Sequence, residues 1–119
     1  MYLKLFTLFV CAVIGLSQEQ FVKKVFIPRL NASYVGCFQD TTSKSKRVPL
    51  NMDYYYMTVP MCIHFCRKNY ERYAVLQDRI YCYCTSPASM DIGVCNSPCA
   101  GNRNEICGGK SSVSFYMLS

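Results

Sequence analysis

Cys62-Ile63-His64-Phe65-Cys66 and Ile80-Tyr81-Cys82-Tyr83-Cys84 are the two segments that decide the fold of this chain. The cysteines of the first segment are four residues apart on a predicted helix, which places them on one face about 6 Å apart. Those of the second are two residues apart on a predicted strand, on one face about 6.6 Å apart. Because the two rises match, two neighbouring disulfides could join the helix to the strand, with Tyr81 and Tyr83 pointing to the opposite face. The spacing leaves open which cysteine of the helix meets which cysteine of the strand.

Eight of the nine cysteines lie between Cys37 and Cys107. The ninth, Cys11, falls in a predicted signal peptide over residues 1–17, which has a lysine near its start, an apolar run, and small residues before a predicted cut after Ser17. An uncleaved anchor would need about 20 apolar residues, and this run is shorter. We therefore predict a secreted, extracellular protein with no stable membrane insertion after signal cleavage. An even set of cysteines in a small exported chain predicts a disulfide framework.

The charge of the chain separates classes of partner only coarsely. The formal net charge is +6, or +5 without the signal, and the basic residues are dispersed along the sequence. This pattern is typical of a solvated, mildly basic surface, and the alternative is attraction to acidic glycans or anionic cell surfaces. Nucleic acid is not expected as a partner, because export and oxidation argue against it and no binding motif is present.

The coarse organisation begins with a lead-in segment over residues 18–33, which carries the sequon Asn31-Ala32-Ser33 and makes Asn31 a candidate glycosylation site. A short strand is predicted over residues 34–38 and a loop over 41–46. A helix is predicted to begin at Thr58, a good N-cap, and to end near Asn69.

The second half of the predicted domain is richer in strands. Residues 73–76 and 80–84 predict a hairpin that turns at Asp78-Arg79. Loops are predicted over 87–98 and 101–111. The alternation of apolar and polar residues over 113–117 predicts a final strand.

The motifs together resemble a known family. The residues that carry the resemblance are Tyr34-Val35-Gly36-Cys37-Phe38-Gln39-Asp40, Arg47-Val48-Pro49-Leu50, Met57-Thr58-Val59, Cys62-Ile63-His64-Phe65-Cys66, Cys82-Tyr83-Cys84, Cys99-Ala100-Gly101-Asn102 and Glu105-Ile106-Cys107-Gly108-Gly109. Over residues 34–117 the chain is similar to WSC domains, the cysteine-rich modules of fungal cell-wall stress sensors. These modules also occur in Kremen-type receptors, polycystin and several carbohydrate-active enzymes.

The resemblance implies a small α+β fold of the PAN/apple type, in which a twisted antiparallel sheet packs on one main helix and four disulfides hold the two together. It implies that the first and last strands are neighbours. It also implies the pairing of all eight cysteines, and the implied bonds are Cys37–Cys95, Cys62–Cys82, Cys66–Cys84 and Cys99–Cys107.

Three departures from the family pattern surround the helix start and the hairpin. Pro60 stands where the family often has glutamate, which removes a favourable charge near the helix start. Thr85 replaces a usual glycine, and Val75 with Asp78-Arg79 replaces a segment that contains glycine. These changes put a ligand surface inherited from the family in doubt more than the fold.

Family membership implies binding to a polysaccharide or to glycoprotein glycans, which requires flat aromatic rings beside amides and charges. The chain has ten tyrosines and no tryptophan, so tyrosines would have to supply the rings. The candidate rings are Tyr54, Tyr55, Tyr56, Tyr81 and Tyr83. The alternatives are that some of the first three cap the core, and that Tyr81 and Tyr83 belong to a second packed layer.

The candidate polar contacts lie at two turns. At the hairpin turn they are Gln77, Asp78 and Arg79, and further along the chain they are Asn102 and Asn104. The competing interpretation for all of them is ordinary turn chemistry.

No catalytic constellation is visible in the sequence, and neither an enzyme nor a cofactor is predicted. A metal site built from the cysteines and His64 is the alternative to disulfides, but Cys-x-x-Cys knuckles are missing and the context is exported. We therefore predict no metal.

The predicted function is a secreted, non-catalytic carbohydrate-binding module. The alternatives are an extracellular protein-interaction module, acting as a receptor ligand or antagonist, and a small disulfide-rich effector.

Overall fold

The computed structural model describes residues 24–40 and 54–119. The predicted signal, the first part of the lead-in segment and the predicted loop at 41–46 lie outside the described residues. The side chain of Tyr54 also lies outside the description.

A five-stranded antiparallel sheet forms the centre of the domain, with a two-stranded hairpin beside it. The strands are β1 (Val25–Ile27), β2 (Ala32–Gln39), β3 (Tyr73–Gln77), β4 (Tyr81–Tyr83), β5 (Pro98–Cys99), β6 (Asn102–Ile106) and β7 (Ser112–Leu118). The order in the large sheet is β1-β2-β7-β3-β4, and β5 pairs with β6. The first and last predicted strands are therefore neighbours, as the resemblance implies.

One α-helix, α1 (Val59–Lys68), packs on the sheet. The Thr58 hydroxyl accepts a hydrogen bond from the backbone N–H of Met61 at 3.1 Å, so the predicted N-cap is confirmed. The helix ends before Asn69, whose backbone N–H donates to Phe65 O at 3.2 Å. Within residues 24–40 and 54–119, no helix has the length and apolar character needed to cross a bilayer.

Two apolar layers lie on opposite faces of the sheet. The first lies between α1 and the sheet and includes the helix residues Cys62, Ile63 and Cys66. The second layer belongs to the other face and is formed by Val35, Phe38, Val75, Tyr83, Val113 and Phe115. The division follows the alternation of side chains along each strand.

Four disulfides hold these elements together. Cys62–Cys82 and Cys66–Cys84 join α1 to the segment of β4, with Cα atoms 5.6 and 5.3 Å apart. The other two bonds are Cys37–Cys95 and Cys99–Cys107. All four join the pairs that the family resemblance implies, and the domain is a small disulfide-rich α+β fold.

The sheet begins earlier than the strand predicted at residues 34–38. The short strand β1 lies within the lead-in segment and pairs with β2, with Val25 opposite Tyr34. Between them Asn31 adopts a left-handed conformation (φ 50°), and its side chain is exposed. Arg67 of α1 ties this turn down, because its Nη2 donates to the carbonyls of Leu30 at 3.0 Å and Asn31 at 2.7 Å. Glycosylation of the exposed Asn31 stays a prediction.

The predicted loop over 101–111 contains a strand, β6, which the sequence pattern does not reveal. Its first three residues are all exposed, so they show no alternation of apolar and polar side chains. In β6 only Glu105 is not exposed, so the strand has no buried face that its sequence could reveal. The prediction of a loop was therefore wrong for residues 102–106.

Candidate functional site

The turn between β5 and β6 brings together segments that are distant in sequence. The backbone N–H of Gly101 donates to Met57 O at 2.8 Å, directly after the tyrosine triplet. On the other side of the turn, Ala100 N–H donates to Arg79 O at 3.2 Å. The turn thus joins the tyrosine segment to the β3–β4 turn.

Gly101 is required for this close approach. A methyl group on its Cα would overlap the carbonyl oxygen of Tyr56 and would lie 2.9 Å from that of Met57. Both neighbours are backbone atoms, which cannot rotate away as the end of a flexible side chain could. A side chain at position 101 would therefore push the β5–β6 turn off the tyrosine segment.

Six exposed residues surround this turn, and we call them the hairpin-tip surface. Tyr55 and Tyr56 contribute aromatic rings that are 74% and 67% exposed. The adjoining turns carry exposed amide and guanidinium side chains. The members are Tyr55, Tyr56, Arg79, Asn102, Arg103 and Asn104.

The polar members keep most of their hydrogen-bonding capacity. Asn102 Oδ1 accepts from the backbone N–H of Asn104 at 3.0 Å, and Arg79 Nε donates to Pro98 O at 3.3 Å. Within the described part of the chain, the Arg103 guanidinium makes no hydrogen bond or ion pair. The surface therefore offers amide and guanidinium donors to a ligand.

The tyrosine triplet forms a turn of 3₁₀-helix over Tyr54–Tyr56. The alternation expected of an extended segment, with Tyr54 and Tyr56 on one side, therefore does not apply. The described rings, those of Tyr55 and Tyr56, are both solvent-exposed instead of one capping the core.

Glu105 fixes the hairpin against the start of α1. Its Oε1 accepts a hydrogen bond from the backbone N–H of Val59 at 3.1 Å. A carboxylate at this position complements the positive end of the helix dipole. β6 thus supplies a negative charge at the helix start, where Pro60 leaves none.

Tyr81 and Tyr83 do not join the hairpin-tip surface. They belong to the second apolar layer, where their rings stack with centroids 6.3 Å apart and Tyr83 is only 4% exposed. Tyr81 is half-buried. Because a strand sends alternate side chains to one face, the bond of Cys82 to the helix turns both rings toward the opposite face. The five candidate tyrosines therefore do not form one exposed strip.

Gln77 is a structural residue and leaves the set of candidate ligand contacts. It is 1% exposed, and its Nε2 donates to the carbonyls of Asp40 at 3.3 Å and Lys110 at 3.4 Å. The reason is its register in the sheet, opposite both Val113 of β7 and Tyr81 of β4. A side chain so enclosed cannot reach a ligand at the surface.

Arg103 is the member that sequence reasoning missed. It lies between two asparagines that were candidates, but a predicted loop gave no reason to place it beside the tyrosines. The glycine at position 101 was the available signal, because glycine allows two backbones to approach closely.

Two of the clefts elsewhere in the domain are lined by residues outside the hairpin-tip surface. One of about 430 Å³ lies between β1 and β6, and the largely apolar residues that line it include Ile27, Tyr34, Ile106 and Tyr116. Burial raises the pKa of Tyr116 to about 12. A second cleft of about 400 Å³ lies between the ends of β2 and β7, where its lining includes Gln39, Ile92 and Lys110.

The cysteine cluster offers no metal ligands. The sulfur atoms of Cys62, Cys66 and Cys82 lie within 4.8 Å of one another, but all three are in disulfides. Metal binding requires thiolates, and a disulfide sulfur is not one.

Comparison with known proteins identifies the family. A family model described as the WSC domain matches residues 34–109. The chain belongs to the WSC domain family. The matched residues include α1, both of the segments that Cys62–Cys82 and Cys66–Cys84 join, and the β5–β6 hairpin.

Among curated proteins, WSC relatives come from animals and fungi. Kremen protein 2 of Mus musculus is 26% identical over 92 residues, which cover 72% of this chain and 20% of the relative. Protein SLG1 of Saccharomyces cerevisiae is 29% identical over 89 residues, which cover 71% and 23%. The chain spans 10% to 43% of the length of the curated relatives reported for it. Membership of this family supports a non-catalytic module of extracellular or receptor type.

Proposed function

We propose that this WSC domain protein is a secreted, non-catalytic module that binds carbohydrate through the hairpin-tip surface. The observation that supports the proposal is that backbone hydrogen bonds join three separate segments, which carry two exposed tyrosine rings and exposed amide and guanidinium side chains. Family membership adds the extracellular context in which polysaccharides and glycoprotein glycans are found.

The chemistry of this surface suits a sugar. A pyranose ring has an apolar face of C–H groups and a rim of hydroxyls. Tyrosine rings can cover the apolar face, while amides both donate to and accept from hydroxyls.

The rings should carry most of the affinity. Truncation of central aromatic residues is among the most damaging changes at binding surfaces. We expect the double variant Y55A/Y56A to lose more than about tenfold in affinity for any glycan that the native protein retains. Affinity would be measured by surface plasmon resonance on the glycans selected by an array.

A matched control separates loss of the site from loss of a tyrosine. Tyr70 is 96% exposed and lies beyond the end of α1, so Y70A removes a ring from another part of the surface. This variant should bind as the native protein does. If Y70A and Y55A/Y56A lose affinity equally, or if no glycan on the array is retained, the proposal is wrong.

A protein-interaction module is the second candidate. The observation that favours it is a set of exposed apolar side chains, several of which line the clefts described above: Val25, Phe26, Ile92, Val94 and Ile106. Such residues are typical of protein-binding surfaces when they are contiguous. Crosslinking to cell-surface proteins that survives enzymatic deglycosylation would favour this candidate over the first.

A further inference from the structure

We infer that the hairpin-tip surface selects anionic glycans, those that carry carboxylate or sulfate groups, over neutral ones. This inference rests on the proposed carbohydrate-binding function and adds the chemical class of the ligand. It starts from two guanidinium groups, Arg79 and Arg103, that the β5–β6 turn brings to the same surface as the tyrosines.

Among the described residues, no acid forms an ion pair with Arg103. The acid nearest to it in sequence is Glu105, whose carboxylate is directed to the backbone N–H of Val59 at the helix start. Within the described residues, Arg103 has no ion pair and is exposed. An exposed guanidinium group with no ion pair can bind an anion from solution, and no contact within the protein has to be broken.

Arg79 supplies a second cation, and hydrogen bonds fix the backbone from which its side chain extends. Its backbone has a left-handed conformation (φ 74°) and is held on both sides, since its N–H donates to Cys107 O at 3.1 Å and its O accepts from Ala100. The Nε atom donates to Pro98 O, and within the described residues the terminal nitrogens make no hydrogen bond or ion pair. Asp78 beside it has interactions of its own within the fold.

Guanidinium groups match the geometry of anionic substituents. Their planar array of donors pairs with two oxygens of a carboxylate or sulfate, and these charge-assisted bonds are stronger than those to a hydroxyl. A neutral sugar would contact the rings and amides but would supply no anionic group to either guanidinium. The net charge of +6 adds a weaker, long-range attraction of the same sign.

The test compares three immobilised polysaccharides at matched density: dextran, dextran sulfate and polygalacturonate. Dextran and dextran sulfate share a backbone, so their difference isolates the sulfate, and polygalacturonate carries the carboxylate. We expect the native protein to bind at least one anionic polymer more tightly than dextran, and that affinity to fall as salt rises. R103Q should weaken anionic binding by about fivefold.

K68Q is the matched control, since Lys68 is exposed at the far end of α1 and its loss changes the net charge equally. Equal loss in R103Q and K68Q would show attraction by net charge alone and would overturn the inference. Equal affinity for all three polymers, with R103Q unchanged, would also overturn it but would leave the proposed carbohydrate binding intact. Absence of binding to all three polymers would overturn the inference alone, whereas anionic binding that Y55A/Y56A does not weaken would contradict the proposed function as well.

Discussion

Replacing Cys62 and Cys82 by alanine should lower the free energy of unfolding by about 4–5 kcal/mol. The bond closes a loop with a sequence separation of 20, and the chain-entropy model gives about 3 kcal/mol for a loop of that size. Both cysteines are fully buried between α1 and the sheet, so the cavity left by two sulfur atoms adds about 1–2 kcal/mol. A loss of this size is comparable with the whole stability of a small domain. Chemical denaturation without reductant, followed by circular dichroism, would measure it.

A second variant separates the cross-link from the packing. C62A/C82V restores part of the lost volume but not the bond, so it should recover only the packing contribution. Cys66–Cys84 remains in both variants and keeps the helix near β4. A destabilisation below about 1 kcal/mol in C62A/C82A would contradict the view that this bond holds the helix to the sheet.

Gly108→Ala should destabilise the domain by about 3–4 kcal/mol. Gly108 has φ of +72°, which costs about 1 kcal/mol or more for a residue with a Cβ. The added methyl group would also overlap the carbonyl oxygen of Leu76 and lie 2.6 Å from Gln77 Cα. These atoms belong to the backbone of β3, which is paired on both sides, so relief would require the sheet to shift. Thermal and urea denaturation would provide the measurement.

Gly108→Asn distinguishes the two causes. Asparagine adopts positive φ more readily than alanine, so it should recover the conformational part and keep the steric part. If the free energy of unfolding of either variant lies within about 0.5 kcal/mol of that of the native protein, the β6–β7 connection does not pack closely on β3.

The spacing of the cysteines carried most of the fold prediction. The match between helix and strand rises predicted a ladder of two bonds, and Thr58 predicted the helix start. The spacing could not choose between the two possible ladders, because exchanging the partners changes no sequence separation by more than a few residues. The family resemblance supplied that choice.

The elements that the sequence did not reveal are those with little buried surface. β1 has only three residues, and the first three residues of β6 are all solvent-exposed, so neither shows a two-residue period. Hydrophobic periodicity reports burial, and these strands are held by backbone pairing instead.

The sequence predicted which types of residue the candidate site would contain, but not which individual residues lie together in it. The polar and aromatic candidates were named from chemistry, yet their grouping depends on contacts of Gly101 and Ala100 that no local pattern encodes. The same topology removed Tyr83 and Gln77, which the sheet buries. Only the position of β6 beside the tyrosine segment identifies Arg103 as a member of the hairpin-tip surface.

The most direct test of the hairpin-tip surface as a binding site is a titration of the ¹⁵N-labelled protein with oligosaccharides of dextran sulfate and, in parallel, of dextran, followed by amide chemical shifts. We predict that the largest shifts fall at Tyr55, Tyr56 and residues 101–104, with a smaller change at Arg79. Shifts concentrated on Tyr73 and Tyr81, at the edge of the second apolar layer, would contradict the assignment and would move the site to the opposite face of the sheet.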